Sequence, residues 1–423
     1  MKKNNLIPII VMILLFGMIS FVTNLASPMG DILKNQFSIP NWQGTLGVFA
    51  NFIAYAIMGI PAGKMLQQRG YKATALIAIA VGFTGVAIQL LSGLMENFAV
   101  YLLGAFIAGF SMCLLNTVVN PMLNRLGGGG NKGNQLIQFG GTFNSLCGTA
   151  VIVITGLLIP QGIKNAQISN TFPLMYAALA VFALAFIVIF FTRIPEKESS
   201  VSSAADIPLK DLFQFRHFVL GAIAIFIYVG VEVGTPNVLN KWLQNPDARI
   251  LADGVNAEAV AGSVTGFYWL LMLVGRLIGG LVGAKVSARK MLSVVASAAV
   301  VLVLLAIFIP VSVTVSFPGF DGGFAMNVIP LSGALLVCVG LCTSVMWGGI
   351  FNLAVEGLGK YTERASGLFM ALVCGGGVLP LLMNGVVDIF GVSGYQPSYW
   401  VGVAGFAYIL FYALAGSKIK GTK

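Results

Sequence analysis

The sequence predicts an all-α membrane protein: twelve transmembrane helices in two pseudo-symmetric six-helix bundles. Three observations carry that expectation. Hydrophobic residues make up 57% of the chain and charged residues only 9%, far more apolar than a soluble core requires. The apolar residues fall into long runs of about 20, the length that crosses a bilayer as a helix. The polar, Ser-rich stretch RIPEKESSVSSAADIPLKDLFQF at 193–215 divides those runs six and six.

In chain order the spans are expected at 7–30, 44–64, 73–93, 98–122, 136–159, 171–192, 216–239, 260–284, 291–313, 331–354, 364–388 and 396–415. The first follows Lys2 and Lys3 but has no small-residue cleavage signal, so it reads as a working span rather than a removable leader. The implied organisation is an N-terminal bundle over 1–192, a cytoplasmic linker over 193–215 and a C-terminal bundle over 216–423. A weak internal repeat supports it. Span four exits through Asn120 and Leu126-Gly127, span ten through Asn352 and Leu358-Gly359, and each precedes a Gly-rich span. Duplicated halves are a common transporter plan. GGGV at 375–378 and the series Gly275, Gly279, Gly283 mark expected close helix contacts.

The formal charge of +10 invites a polyanion partner, but its distribution argues against one. With the N-terminus inside, the inside segments hold nineteen of the 24 basic residues. These include Lys64, Arg69 and Lys72 after span two, and Lys285, Arg289 and Lys290 after span eight. That is the positive-inside bias, with both termini cytoplasmic. The charge sets topology and meets anionic membrane lipid; no nucleic acid is expected. Cys113, Cys147, Cys338, Cys342 and Cys374 all fall inside spans without ligand spacing, and His217 is the only histidine. No metal, cofactor or enzymatic chemistry is expected from this set. Gly127–Gly130 lacks the GK[ST] ending of a phosphate cradle.

Function is sought in polar groups inside apolar spans, because a charge in hydrocarbon persists only when it faces protein, water or a partner. Asn24, Ser27 and Asp31 share one face of span one. Asp31 reads either as a carboxylate facing a cavity or as an interfacial charge. Glu232, in IFIYVGVEVGTPNVL, reads as a cavity carboxylate that binds a hydroxyl, a proton or sodium, or as half of a structural pair with Arg276. Asn116, Asn120, Asn144, Asn352 and Asn384 offer amides that donate and accept at once, as hydroxyls require. Trp269, beside Tyr268, and Trp347 offer flat faces to a pyranose ring. Together they predict a carbohydrate site at the interface of the halves; singly, each amide can equally tie two helices.

These residues also resemble the major facilitator superfamily, and within it the fucose–galactose–glucose:proton symporter group. The likeness rests on GDILKNQF at 30–37, IPAGKMLQQRGYK at 60–72, NTVVNP at 116–121, TFNSLCG at 142–148, VGRLIGG at 274–280 and FNLAVEGLG at 351–359. It implies a bacterial inner (plasma) membrane protein that alternates between inward-open and outward-open states. The group's first-span coupling Asp falls on Asp31. Its fourth-span Glu falls on Asn116, which cannot titrate. Its fifth-span Asn falls on Asn144, while the Gln three residues earlier is replaced by Gly141. Glu232 is then a candidate for the missing acidic role. The superfamily's acid in the loop after span two is absent between Gly63 and Arg69, which leaves Arg69 and Lys72 as gating candidates.

The reading is a secondary transporter that imports a neutral sugar by cation symport, proton-coupled, with Asp31 and Glu232 as coupling groups. Asn24, Asn116, Asn120, Asn144, Trp269, Trp347 and Asn352 are the substrate-binding candidates. Two alternatives stand beside it: a sodium-coupled or uncoupled transporter of another polar solute, and a membrane sugar sensor without flux.

Overall fold

The computed structural model describes residues 5–36, 46–158, 167–196, 207–252, 255–320 and 324–419. The helices are α1 (Leu6–Gln36), α2 (Leu46–Leu94), α3 (Phe98–Leu126), α4 (Gly130–Leu158), α5 (Phe172–Phe191), α6 (Arg216–Gln244), α7 (Ala257–Val282) and α8 (Ala288–Phe308). A hairpin, β1 (Thr314–Phe320) and β2 (Phe324–Pro330), precedes α9 (Leu331–Thr343), α10 (Met346–Val355), α11 (Thr362–Ala371), α12 (Gly375–Phe390) and α13 (Trp400–Phe411). Among the described residues these helices make twelve traverses. α2 supplies two, α9 with α10 one, and α11 with α12 one.

Local chemistry explains these joints. α2 carries spans two and three as one run with an elbow at Gly70, whose φ of 78° and ψ of 179° lie where only glycine sits without strain. The eight-residue loop expected between the spans is absorbed by that elbow. The arm beginning at Tyr71 exposes backbone N–H groups, and Glu196 answers them. Its Oε2 accepts from Tyr71 N (3.0 Å) and its Oε1 from Lys72 N (2.8 Å), an anion at a helix N-terminus. Lys72 Nζ donates in turn to the carbonyls of Phe190 (2.7 Å) and Thr192 (3.0 Å) at the end of α5. α3 starts on an Asn97 cap, α7 on Asn256 and α8 on Ser287.

The chain forms two compact units. One comprises Met1–Phe215 with Val355–Val373; the other comprises Arg216–Ala354 with Cys374–Lys423. Within the first, α11 packs on α2 with almost nothing between the backbones. A Cβ at Gly63 would lie 2.8 Å from Gly367 Cα, and one at Gly59 2.6 Å from Ala371 Cα. Small residues permit this approach. Tyr71 donates to Glu363 Oε1 across the same pair of helices (3.2 Å), and Arg364 Nη1 donates to Ile60 O (3.4 Å). Within the second unit, a Cβ at Gly275 would meet Ser344 Cβ at 2.7 Å, and one at Gly375 would meet the Phe226 backbone at 2.6 Å. Gly275 and Gly375 are thus close-contact positions.

The hairpin was not expected. Residues 291–313 read as one span, but α8 ends at Phe308, and TVSFPGF and FAMNVIP pair antiparallel from Thr314↔Pro330 to Phe320↔Phe324. Residues 314–330 fall between two expected spans and are less apolar than the helices on either side, so they read as a connection rather than as paired strands. The alternating Val and Phe residues and the Gly322-Gly323 dipeptide between the strands were the available signal.

Candidate functional site

The expected polar residues resolve into two groups, one in each unit. In the first unit, α3 is buried at every position from Ser111 to Asn124. Asn116 lies within this buried stretch. It donates through Nδ2 to Tyr55 Oη (2.6 Å), across to α2, and to Met112 O (3.2 Å). Asn120, one turn on, donates to Asn116 O (2.9 Å) and Oδ1 (3.3 Å). Asn144 is half-buried on α4 and donates to Phe16 O of α1 (2.7 Å). Asn24, also half-buried, donates to Ser20 O (2.8 Å) and Ser20 Oγ (3.0 Å). Asn116 and Asn144 thus tie two helices, whereas these bonds of Asn120 and Asn24 stay within their own helix. Asp31 belongs to α1, but its side chain and that of Ser27 lie outside the described residues.

In the second unit, Glu232 is buried near the Pro236 bend of α6. Its Oε1 accepts from Tyr228 Oη, one turn earlier, at 2.6 Å, and from Arg276 Nη2 of α7 at 3.3 Å. The pair with Arg276 is an ion pair with both side chains 11% exposed. The Glu232 backbone carbonyl accepts from Tyr268 Oη (3.1 Å), which also hydrogen-bonds Thr343 Oγ1 (3.1 Å) where α9 breaks before α10. The alternative weighed for Glu232, pairing with Arg276, is thus present. Each tyrosine also carries a tryptophan: Trp347 lies 6.4 Å from Tyr228 and Trp269 5.3 Å from Tyr268, ring centre to ring centre. Trp269 is exposed, and the glycines one and two turns before it on α7, Gly266 and Gly262, have open space beside them. Trp347 is half-buried and Asn352 buried. Asn384 accepts from Lys241 Nζ (2.9 Å) and donates to Asn237 Oδ1 (3.2 Å).

The arrangement gathers a compensated carboxylate, three buried hydroxyls and two indoles within one unit, with Trp269 the exposed member. Sequence reasoning missed Tyr228, Thr343 and Tyr55. The first was legible, four residues before Glu232 on one helix face; the others meet their partners only through packing. The gating candidates separate: Lys72 holds the end of α5, as described above, whereas Arg69 is exposed. A 270 Å³ cavity bounded by Leu14, Met18, Phe143, Cys147 and Leu184 is apolar and offers nothing to a sugar hydroxyl.

Twelve traverses and isolated polar groups inside them define a polytopic membrane carrier. The Major Facilitator Superfamily model matches residues 9–381, and the chain belongs to that family. It is 30% identical over 410 residues to the glucose/galactose transporter of Brucella abortus biovar 1 (strain 9-941), covering 96% of this chain and 93% of that protein. It is 23% identical to the L-fucose-proton symporter of Escherichia coli (strain K12), with 92% and 89% covered. Among solved structures, the major facilitator transporter FucP in its outward conformation superposes with a TM-score of 0.81 at 21% identity, covering 98% of this chain and all of that one. That last likeness speaks for the fold.

Proposed function

We propose that this protein imports a neutral monosaccharide by proton symport through alternating access, in a bacterial inner membrane with both termini cytoplasmic. The observation that carries the reading is the end-to-end similarity to transporters named for glucose, galactose and L-fucose. Their shared chemistry is a ring of hydroxyls over an apolar face. Tyr228, Tyr268 and Glu232 supply acceptors and donors for the hydroxyls; Trp269 and Trp347 supply stacking surfaces. Asn24, Asn116, Asn120, Asn144 and Asn352 are the remaining candidates for hydroxyl contact. The two six-span halves, joined by 193–215, are the moving parts, and Arg69 and Lys72 act in gating.

Coupling falls first on Asp31. Glu232 has a cation against it, so closing a dry cavity around it does not require a proton as closing around a lone carboxylate does. Protonation of Asp31 from outside removes the cost of burying its charge, and the sugar and proton leave inward together. The experiment is uptake of a sugar panel into proteoliposomes, with pH and sodium gradients imposed independently. Concentrative uptake is expected with the pH gradient alone. Asp31→Asn should abolish accumulation and retain exchange between equal pools; undiminished accumulation removes Asp31 from coupling. The compensated state of Glu232 and the amide at Asn116 favour one second reading, sodium-coupled or uncoupled passage. Accumulation that follows sodium, or equilibration without accumulation under either gradient, would select it.

A further inference from the structure

The hairpin between α8 and α9 plays no part in the reading above, and its two faces differ. Phe317 turns inward, its ring 5.4 Å from Phe267 of α7 and edge-on at 89°, and Ile329 is fully buried. The opposite face carries Phe324, Met326 and Val328, which are 70%, 57% and 55% exposed. They alternate along β2, and across the ladder from Met326 and Val328 stand Pro318 and Ser316. In water this face would be an uncovered apolar patch on a short, open-edged hairpin.

Its depth says what covers it. α7 runs from Ala257 to Val282, about 39 Å at 1.5 Å per residue, whereas the hydrocarbon layer is about 30 Å thick. The hairpin does not stand beyond the end of α7. A Cβ at Gly319 would lie 3.5 Å from Ser263 Cβ, and Phe317 meets Phe267. With the excess length of α7 shared between its two ends, those contacts fall about 5 and 10 Å inside the apolar layer, in the third nearest the surface at which α7 begins. A second observation fixes the same level. Phe308, where α8 ends just before the hairpin, packs edge-on against Trp400 at the start of α13, ring centres 5.9 Å apart, and both are largely exposed. Exposed aromatic residues at helix ends mark the membrane–water boundary. The free strand edges set the opposite limit, because unpaired N–H and C=O groups do not persist in hydrocarbon.

We propose that the hairpin Thr314–Pro330 is a membrane-surface anchor, with Phe324, Met326 and Val328 immersed at the boundary between lipid headgroups and acyl chains. It pins the α8–α9 connection to the bilayer while the helices on either side of it do the transporting.

The test places an environment-sensitive nitrobenzoxadiazole label at Met326→Cys, in full-length protein whose five native cysteines are replaced by serine or alanine. The protein is reconstituted in phosphatidylethanolamine–phosphatidylglycerol vesicles with plain or brominated acyl chains. Asp247→Cys, on the exposed turn after α6, serves as the aqueous control. The expected result is blue-shifted emission, cut about twofold by bromolipid and little affected by iodide, as for interfacial side chains. Phe324→Trp in the otherwise natural chain, read as the difference from the parent, gives the same answer without cysteine replacement. Iodide quenching equal to that at position 247 would overturn the proposal in favour of an aqueous face. Shielding from both quenchers would overturn it in favour of a protein cover such as a second copy.

Discussion

The groups around α3 in the first unit and around α6 in the second solve the same problem, polar side chains in a buried interior, with different chemistry. Around α3 the polar groups are neutral: Asn120 donates to Asn116, and Asn116 to Tyr55. Around α6 they are ionic: Tyr228 and Arg276 both donate to one oxygen of Glu232. An amide chain loses only neutral bonds when a member is removed, and its remaining members stay neutral. An ion pair that loses a member leaves an uncompensated charge in a low-dielectric interior. The amide group around α3 should therefore tolerate single polar substitutions, and the ionic group around α6 should not.

The strongest way to break this contrast is at Arg276. Arg276→Met leaves Glu232 buried with only Tyr228 and should cost about 3–5 kcal/mol, the usual penalty for orphaning a buried charge. Glu232→Gln should also cost stability, because it removes the carboxylate charge that faces Arg276. The double variant should recover most of the loss, because removing both charges removes the penalty as well as the attraction. Thermal melts in detergent give the ranking. Two single variants that melt close to the parent would mean that water reaches the pair, and the contrast would fail. Uptake sharpens it: retained accumulation in the double variant assigns the pair a structural role and leaves coupling to other groups.

Next in size is the backbone contact between α2 and α11. With Gly63 and Gly367 nearly touching, Gly63→Val forces two main chains apart rather than a side chain aside. Overpacking of this kind costs about 1–3 kcal/mol. Gly385→Ala on α12, which has open space around it, is the matched control and should be neutral or slightly stabilising in the same melt. An unchanged melt for Gly63→Val would show that the α2–α11 contact yields freely.

What the sequence disclosed follows the same division. Spans were legible because each apolar run must satisfy its backbone internally, and a helix does so alone. Gly275 and Gly375 were legible as close contacts because small residues have few other uses inside a span. Glu232 was legible as an exception and Arg276 as its possible mate. The choice between cavity carboxylate and structural pair was not legible, because the α6–α7 contact that joins them is set by packing. The amides were ambiguous for the same reason: Asn144 could equally bind a ligand or, as found, the Phe16 carbonyl. The elbow at Gly70 was hidden because one residue with positive φ leaves no trace in hydropathy.

The smallest expected effect tests the neutral side of the contrast. Tyr55→Phe deletes the acceptor of the 2.6 Å bond from Asn116 and nothing else, since the ring stays. Asn116 Nδ2 keeps Met112 O at 3.2 Å, so no donor group is left wholly without a partner. The loss should be that of one neutral hydrogen bond, about 0.5–1.5 kcal/mol. Neither phenol nor amide titrates near neutral pH in ordinary surroundings, so the pH profile of uptake should keep its shape. A loss approaching that of Arg276→Met, or a displaced pH profile, would mean that the Asn116–Tyr55 link carries charge-coupled work. The two units would then differ in their residues and not in their chemistry.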